Sequence, residues 1–188
     1  MCHIPAPEFK RNQQFSDTLL AAEQYDNSLQ WYLTEGKQKH TRNWIITLYG
    51  NAGLSALSAG STIYVRGHGG AGDHELDATG DGQGTISYET VCDRMIEDGL
   101  QRSFMGTIKF SNCSSGVPTL GRQCFAAKAS QYFRFKKGYL LISFVGYMGP
   151  IDGKYNVQGA DPNDDRHMHL HVTAFGREIK SKWMQFRF

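Results

Sequence analysis

The sequence predicts an α/β fold: a mainly parallel central sheet flanked by helices, with a β-hairpin region at the C-terminal end. Three observations lead there. Short apolar, β-branched or aromatic runs recur at 44–49, 62–65, 107–110 and 139–145, as buried strands do. Segments with apolar residues at helical spacing lie between them. Strands that alternate with helices pair in parallel through crossovers, which puts helices on both faces of the sheet. With 188 residues and 40% hydrophobic content, the chain is long enough for one domain with a sizeable core.

Residues 1–16 are polar and contain Pro5 and Pro7, and read as a lead-in arm. The domain is taken as 17–188. A helix is expected from Asp17, because Ala22, Tyr25, Leu29, Tyr32 and Leu33 share one face. Gly36 ends it, and a basic connector, 37–42, leads to the first strand. Residues 50–60 are small and turn-rich, with room for one short helical turn. The strand at 62–65 runs into Gly67-His68-Gly69-Gly70. A loop rich in glycine and aspartate follows, 71–84, of the kind that carries ligand contacts.

Ser87 is an expected N-cap. Behind it Tyr88, Val91, Cys92, Met95 and Ile96 form an inner stripe, closed by Gly99. The strand at 107–110 ends in Ser111-Asn112-Cys113-Ser114-Ser115-Gly116. Pro118 is expected near the start of the next helix, with Phe125, Ala129, Tyr132 and Phe133 on one face. After the strand at 139–145 comes Gly146-Tyr147-Met148-Gly149-Pro150. From Ile151 onward, strands are expected at 154–157, 167–175 and 178–188, with a turn at Gly176.

Composition excludes several classes. A net charge of +2 is too weak to argue for nucleic acid. No apolar run approaches the ~20 residues that span a bilayer, so no membrane insertion is expected. The N-terminal residues lack the basic-then-apolar pattern of a secretory signal. A cytoplasmic protein is expected, or one exported into a host or target cell without a cleavable signal. Cys2, Cys92, Cys113 and Cys124 form no CxxC pair, which argues against a structural zinc knuckle and for free thiols.

The chemistry concentrates at two strand ends. Sites in parallel α/β sheets form at the carboxyl ends of the strands. Here one strand delivers His68 and another Cys113. A thiol must ionise before it attacks, and a histidine at a neighbouring strand end is a suitable base. The helix expected from Pro118 would add its positive end. A glycine after the histidine lets a substrate carbonyl approach the backbone. The N–H groups of Gly69 and Cys113 would then form an oxyanion hole, while Asn112 and Ser114 shape the turn.

These motifs, Gly-His-Gly-Gly-Ala-Gly-Asp, Phe-Ser-Asn-Cys-Ser-Ser-Gly and Val-Gly-Tyr-Met-Gly-Pro, occur in the order strand, His-Gly, helix, strand, Cys, helix, strand. That order over residues 43–150 resembles the caspase-like, clan CD cysteine peptidases, most of all their bacterial members and the self-processing domains of toxins. The resemblance implies a three-layer caspase-like sandwich and a His68–Cys113 dyad acting on a protein or peptide substrate. It also points to a bacterial effector or toxin domain, with self-processing left open by the sequence. Gly69 carries over as an oxyanion donor, and no cofactor is required. Substrate contacts are expected from Tyr147 and Met148, which favour an apolar residue, or from Asp73 and Asp77, which favour a basic one.

Other readings attach to other residues. His167, His169 and His171 alternate on an expected strand, with Asp161, Asp164 and Asp165 upstream. Period two puts the three histidines on one face, where they would serve a metal-dependent hydrolase. Lys128, Arg134, Lys136 and Lys137 form one basic cluster, and Arg177, Lys180 and Lys182 a second. In toxin domains of the resembling family such a pocket takes inositol hexakisphosphate as an activator. A last alternative is a caspase-like binding module without catalysis.

Overall fold

In the computed structural model the described residues are 2–4, 46–50, 52–77, 84–152, 171–174, 177–180 and 185–188. The main sheet has six strands. Along the chain these are β1 (Cys2–Ile4), β2 (Ile46–Leu48), β3 (Thr62–Arg66), β6 (Thr107–Ser111), β7 (Ser143–Tyr147) and β11 (Gln185–Arg187). Their order across the sheet is β11-β7-β6-β3-β1-β2. The first five strands run parallel, and only β11, paired to β7, is antiparallel. The α/β class and the mainly parallel sheet follow the sequence.

Cys2–Ile4 was expected in an arm, yet it pairs with both β2 and β3. A three-residue strand cut off by Pro5 and Pro7 leaves no periodic signal. The helix expected from Asp17 and the strand expected at 154–157 lie outside the described residues.

Helix α1 (Tyr88–Glu97) starts where the sequence predicts. The Ser87 Oγ accepts a hydrogen bond from the Thr90 N–H at 3.3 Å, which satisfies one of the open donors of the first turn. Helix α2 (Phe125–Gln131) continues into a π-helical turn, Tyr132–Lys136. The two helices touch each other and contribute to one buried cluster with the sheet. Between them and the sheet lies the core: Val91, Cys92 and Met95 from α1, Phe125, Ala129 and Phe133 from α2, and Ile63, Val65, Ile108, Phe110 and Phe144 from the strands. Phe110 meets Phe125 edge-on at 5.2 Å and stacks on Phe144 at 6.4 Å. Such pairs add to the stabilisation from buried area. Tyr64 and Lys109 face each other across the strand pair, with the ammonium 5.4 Å from the ring centre. Burial, and then the nearby Arg187, hold the Lys109 ammonium below its usual pKa.

Three expectations need correction. Residues 71–84 are not all loop. β4 (Glu75–Asp77) and β5 (Thr85–Ser87) form a two-stranded antiparallel ribbon. Each strand carries a single buried apolar residue, Leu76 or Ile86, too little to register as a pattern. The helix after Cys113 starts at Phe125, not near Pro118. Thr119 and Arg122 exchange two backbone hydrogen bonds of 3.0 Å, and Gly121 sits at φ 75, so the chain makes a tight turn first. The fourth core strand starts at Ser143, because Leu140 and Leu141 are 70% and 60% exposed. Tyr139 instead packs edge-on against Phe133 and donates its hydroxyl to the Leu100 carbonyl.

A second sheet follows the site. β8 (Ile151–Asp152), β9 (His171–Ala174) and β10 (Arg177–Lys180) run antiparallel in the order β10-β9-β8. β9 and β10 pair across 175–176, in keeping with the hairpin expected there. The strand expected at 178–188 is two strands, β10 and β11, in different sheets.

Candidate functional site

β3 and β6 are neighbours in register, with Arg66 opposite Ser111 as their last pair. His68 and Cys113 each lie two residues beyond that pair. Both therefore leave the same edge of the sheet, on adjacent strands. The local sequences explain why each strand stops there. After Arg66, Gly67 packs so tightly against Leu76 that no side chain fits. His68 then pairs with Asp77 of β4, its N–H donating at 2.7 Å and its carbonyl accepting at 3.0 Å. The His68 side chain is exposed.

The Cys113 turn is held by many bonds. Ser114 is left-handed at φ 55, a conformation that costs a non-glycine residue energy and persists only when its surroundings fix it. Here the Ser114 N–H donates to the Gly149 carbonyl at 2.8 Å, and the Ser114 carbonyl accepts from Val117 at 2.9 Å. Ser115, fully buried, donates its hydroxyl to the Phe110 carbonyl at 2.7 Å and accepts from the Tyr147 N–H at 3.0 Å. Gly116 donates to the Tyr147 carbonyl at 2.9 Å. Cys113 itself is half-buried. Its Sγ accepts a hydrogen bond from the Ile151 N–H at 3.3 Å, so the first residue of β8 reaches the sulfur.

Two glycines let the Cys113 turn lie flat on β7. A Cβ on Gly146 would sit 2.7 Å from the backbone of Gly116 and 2.8 Å from the Ala126 Cβ. Backbone atoms cannot give way cheaply. Gly146→Ala should lower stability by about 1–3 kcal/mol, the usual cost of overpacking. Denaturant unfolding should show a lower midpoint at unchanged slope; an unchanged midpoint would mean that this contact is loose.

Further bonds brace the two turns against each other. The Gly72 N–H donates to the Val117 carbonyl at 2.9 Å, and His74 Nε2 lies 3.0 Å from the Gln123 carbonyl. On the His68 side opens a cleft of about 840 Å³, walled by His68, Gly69, Asp73, Glu75, Asp77 and Arg122 among others. Cys113 is not part of that wall. Among the described residues, neither the Gly69 nor the Cys113 N–H donates to an acceptor. The Asn112 side chain, against Gly69 and directly before Cys113, lies between these two residues.

The other expected residues fall out as follows. Asp73 lines the cleft, but its carboxylate also closes a turn by accepting the Gly70 N–H. Tyr147 is 1% exposed, so its ring offers no surface to a ligand, and the expected substrate contact is corrected. Met148 beside it is half-buried. Helix α2 starts at Phe125, after the turn that pairs Thr119 with Arg122. Its N-terminus meets the loop that carries Cys113 at the Ser115 carbonyl, which accepts from the Ala126 N–H at 3.0 Å. His167 and His169 lie outside the described residues, and His171 is on β9. Within the first basic cluster, Arg134 donates to the carbonyls of Ile142 and Phe188 at 3.3 and 2.9 Å. Lys137 pairs with Asp93 at 2.8 Å. No helix among the described residues is long and apolar enough to cross a membrane.

The sequence reading missed Ile151 as the partner of the sulfur and the brace made by His74. It also undervalued Asn112, whose buried side chain packs against Gly69. A lone asparagine before a cysteine carries a signal in sequence only once its burial is known.

The three described thiols differ sharply. Cys92 and Cys124 are 0% and 2% exposed, and burial pushes both thiols up, Cys92 well above the usual value. Only the thiolate alkylates readily. Iodoacetamide should therefore modify Cys113 first, with Cys92 and Cys124 following only as the protein opens. A mass-spectrometric time course checks the order, and Cys113 emerging as the slowest of the three would remove it as a nucleophile.

No family model matches the chain, and no curated protein matches it.

Proposed function

We propose that the protein is a cysteine endopeptidase that cleaves peptide bonds with a His68–Cys113 dyad. The observation that carries this reading is the register of β3 and β6, which puts the two side chains equally far past the same ends of adjacent parallel strands. The element order β3, His-Gly, α1, β6, Cys, α2, β7 supports the resemblance to caspase-like peptidases. So does a mainly parallel sheet with helices packed on it. A three-layer caspase-like sandwich is the finer form of the same proposal.

The chemistry is acyl transfer. The Cys113 thiol gives its proton to His68, and the sulfur adds to the scissile carbonyl carbon. The carbonyl π pair moves to oxygen, which takes hydrogen bonds from the Gly69 and Cys113 N–H groups. As the C–N bond breaks, the imidazolium returns its proton to the leaving amine. Water then adds to the thioester with His68 as base, and the thiol is released as the acid product forms. The Ile151 N–H, aimed at the sulfur, supplies a donor where negative charge develops. No step requires a metal or cofactor.

Asp73, Glu75 and Asp77 outnumber Arg122 around the cleft, which favours a substrate with a basic side chain on that side. An inositol hexakisphosphate activator belongs to the proposal through the resemblance alone, since Arg134 and Lys137 already serve intramolecular contacts. The test is a peptide-library cleavage profile of the wild type and of Cys113→Ala, each with and without EDTA. Cleavage that needs Cys113 and survives EDTA supports the dyad. Cleavage that survives Cys113→Ala, or that stops with EDTA and returns with zinc, sinks it.

A further inference from the structure

Among the described residues, two neighbours, Ser111 and Asn112, bury side-chain polar atoms without a partner, and Asn112 buries two. It is 1% exposed, and neither Nδ2 nor Oδ1 has a hydrogen-bond partner among the described residues. Buried amides are nearly always paired, and an unpaired one in a native protein calls for a reason. An apolar side chain of similar shape would avoid the cost altogether. The reason is to be sought in its position. Asn112 directly precedes Cys113, and its carboxamide lies against Gly69: a Cβ on Gly69 would come within 2.6 Å of Nδ2 and 3.5 Å of Cβ and Cγ. Among the described residues, the Gly69 and Cys113 N–H groups both lack an acceptor. The carboxamide thus fills the space between the two turns that carry the open donors. Being buried, it does not itself face the cleft.

We propose that Asn112 is a positioning residue of the oxyanion site. It props the Gly69 peptide so that the Gly69 and Cys113 N–H groups converge on one oxygen. Its own donor and acceptor gain partners when the turns close around that oxygen. This inference rests on the His68–Cys113 reading and deepens it. It also explains why Gly69 must be glycine, since any side chain there displaces the carboxamide.

The expected signature separates positioning from plain packing. Asn112→Leu keeps the branching at Cγ in a larger side chain and removes the unpaired polar atoms. The relief of the buried polar groups offsets the overpacking, so its thermal midpoint should stay near that of the wild type. Its kcat on a fluorogenic peptide amide taken from the library profile should fall about 10²-fold with KM little changed, as expected for a misaligned transition-state contact. Affinity for the matching peptide aldehyde should fall in step with kcat. There the sulfur adds to the aldehyde carbon and the oxygen occupies the oxyanion site, so the same amides are tested without turnover. Alkylation of Cys113 by iodoacetamide should keep its rate, because displacement of iodide creates no oxyanion.

Asn112→Ala, which leaves space where leucine does not, is read by the same measurements. In the wild type, the Asn112 side-chain amide resonance should shift when the aldehyde binds, a readout that needs no variant. Wild-type kcat in the leucine or alanine variant would overturn the proposal. So would alkylation that slows together with kcat, or an amide resonance that ignores the aldehyde. If the wild type neither cleaves peptides nor adds the aldehyde at Cys113, the peptidase reading itself has failed, and this inference fails with it. That outcome shows in the wild type rather than in the variants, so the two failures are distinguishable.

Discussion

Cys113→Ala is expected to abolish peptide cleavage while leaving the protein folded. In the proposed mechanism the sulfur forms the covalent intermediate. Without it, the oxyanion donors and His68 have no nucleophile to serve. Stability should hardly change, because the residue is half-buried and, among the described residues, its side chain hydrogen-bonds to Ile151 alone, at 3.3 Å from the N–H and 3.9 Å to the carbonyl. The bonds that fix the turn come from the backbone of Ser114 and Gly116 and from the hydroxyl of Ser115. None of them involves the thiol. The expected result is a wild-type circular dichroism spectrum and thermal midpoint, with cleavage at the uncatalysed background. Residual cleavage above that background in a folded variant would assign the reaction to another group. An unfolded variant would mean that the thiol holds the fold together, contrary to its surroundings.

The parts of this arrangement that are legible in the sequence are those with dense local signals. β3 and β6 carry alternating or continuous apolar residues, and Ile63, Val65, Ile108 and Phe110 are all fully buried. Helix α1 announces itself by a cap and a stripe. His68 and Cys113 were readable because each ends such a strand. Elements set by tertiary contacts were not. Leu76 and Ile86 each stand alone among polar neighbours, and the pairing of β4 with β5 beside α1 is a tertiary contact. Pro118 suits a helix start as well as a turn, and the pairing of Thr119 with Arg122 decides for the turn. The run Tyr139-Leu140-Leu141-Ile142 reads as a strand because sequence does not say which side of it meets water. Asn112 shows the limit most clearly. Its role follows from being buried without partners, and burial belongs to the fold rather than to the residue. Pattern-based reading fails in this way where function or tertiary contact overrides local preference.

His68→Ala is the second large effect. A positioned acid–base group contributes about 10²–10⁴-fold, and turnover should fall within that range. Two events lose their proton carrier: ionisation of the thiol and protonation of the leaving amine. Folding should survive, because the His68 ring is exposed and the element is held by its backbone bonds to Asp77, which alanine keeps. Substrate affinity should suffer less than kcat, since the remaining cleft wall is untouched. The loss should also be unequal between substrates. A peptide amide needs the leaving amine protonated, whereas an activated ester with a good leaving group does not. His68→Ala should therefore cost less on a nitrophenyl ester than on a peptide of the same sequence, and Cys113→Ala should abolish both. Equal losses on ester and amide would mean that His68 acts only on the thiol. No loss on either substrate would remove histidine from the mechanism, and the shared edge of β3 and β6 would then bring the two residues together without chemical consequence.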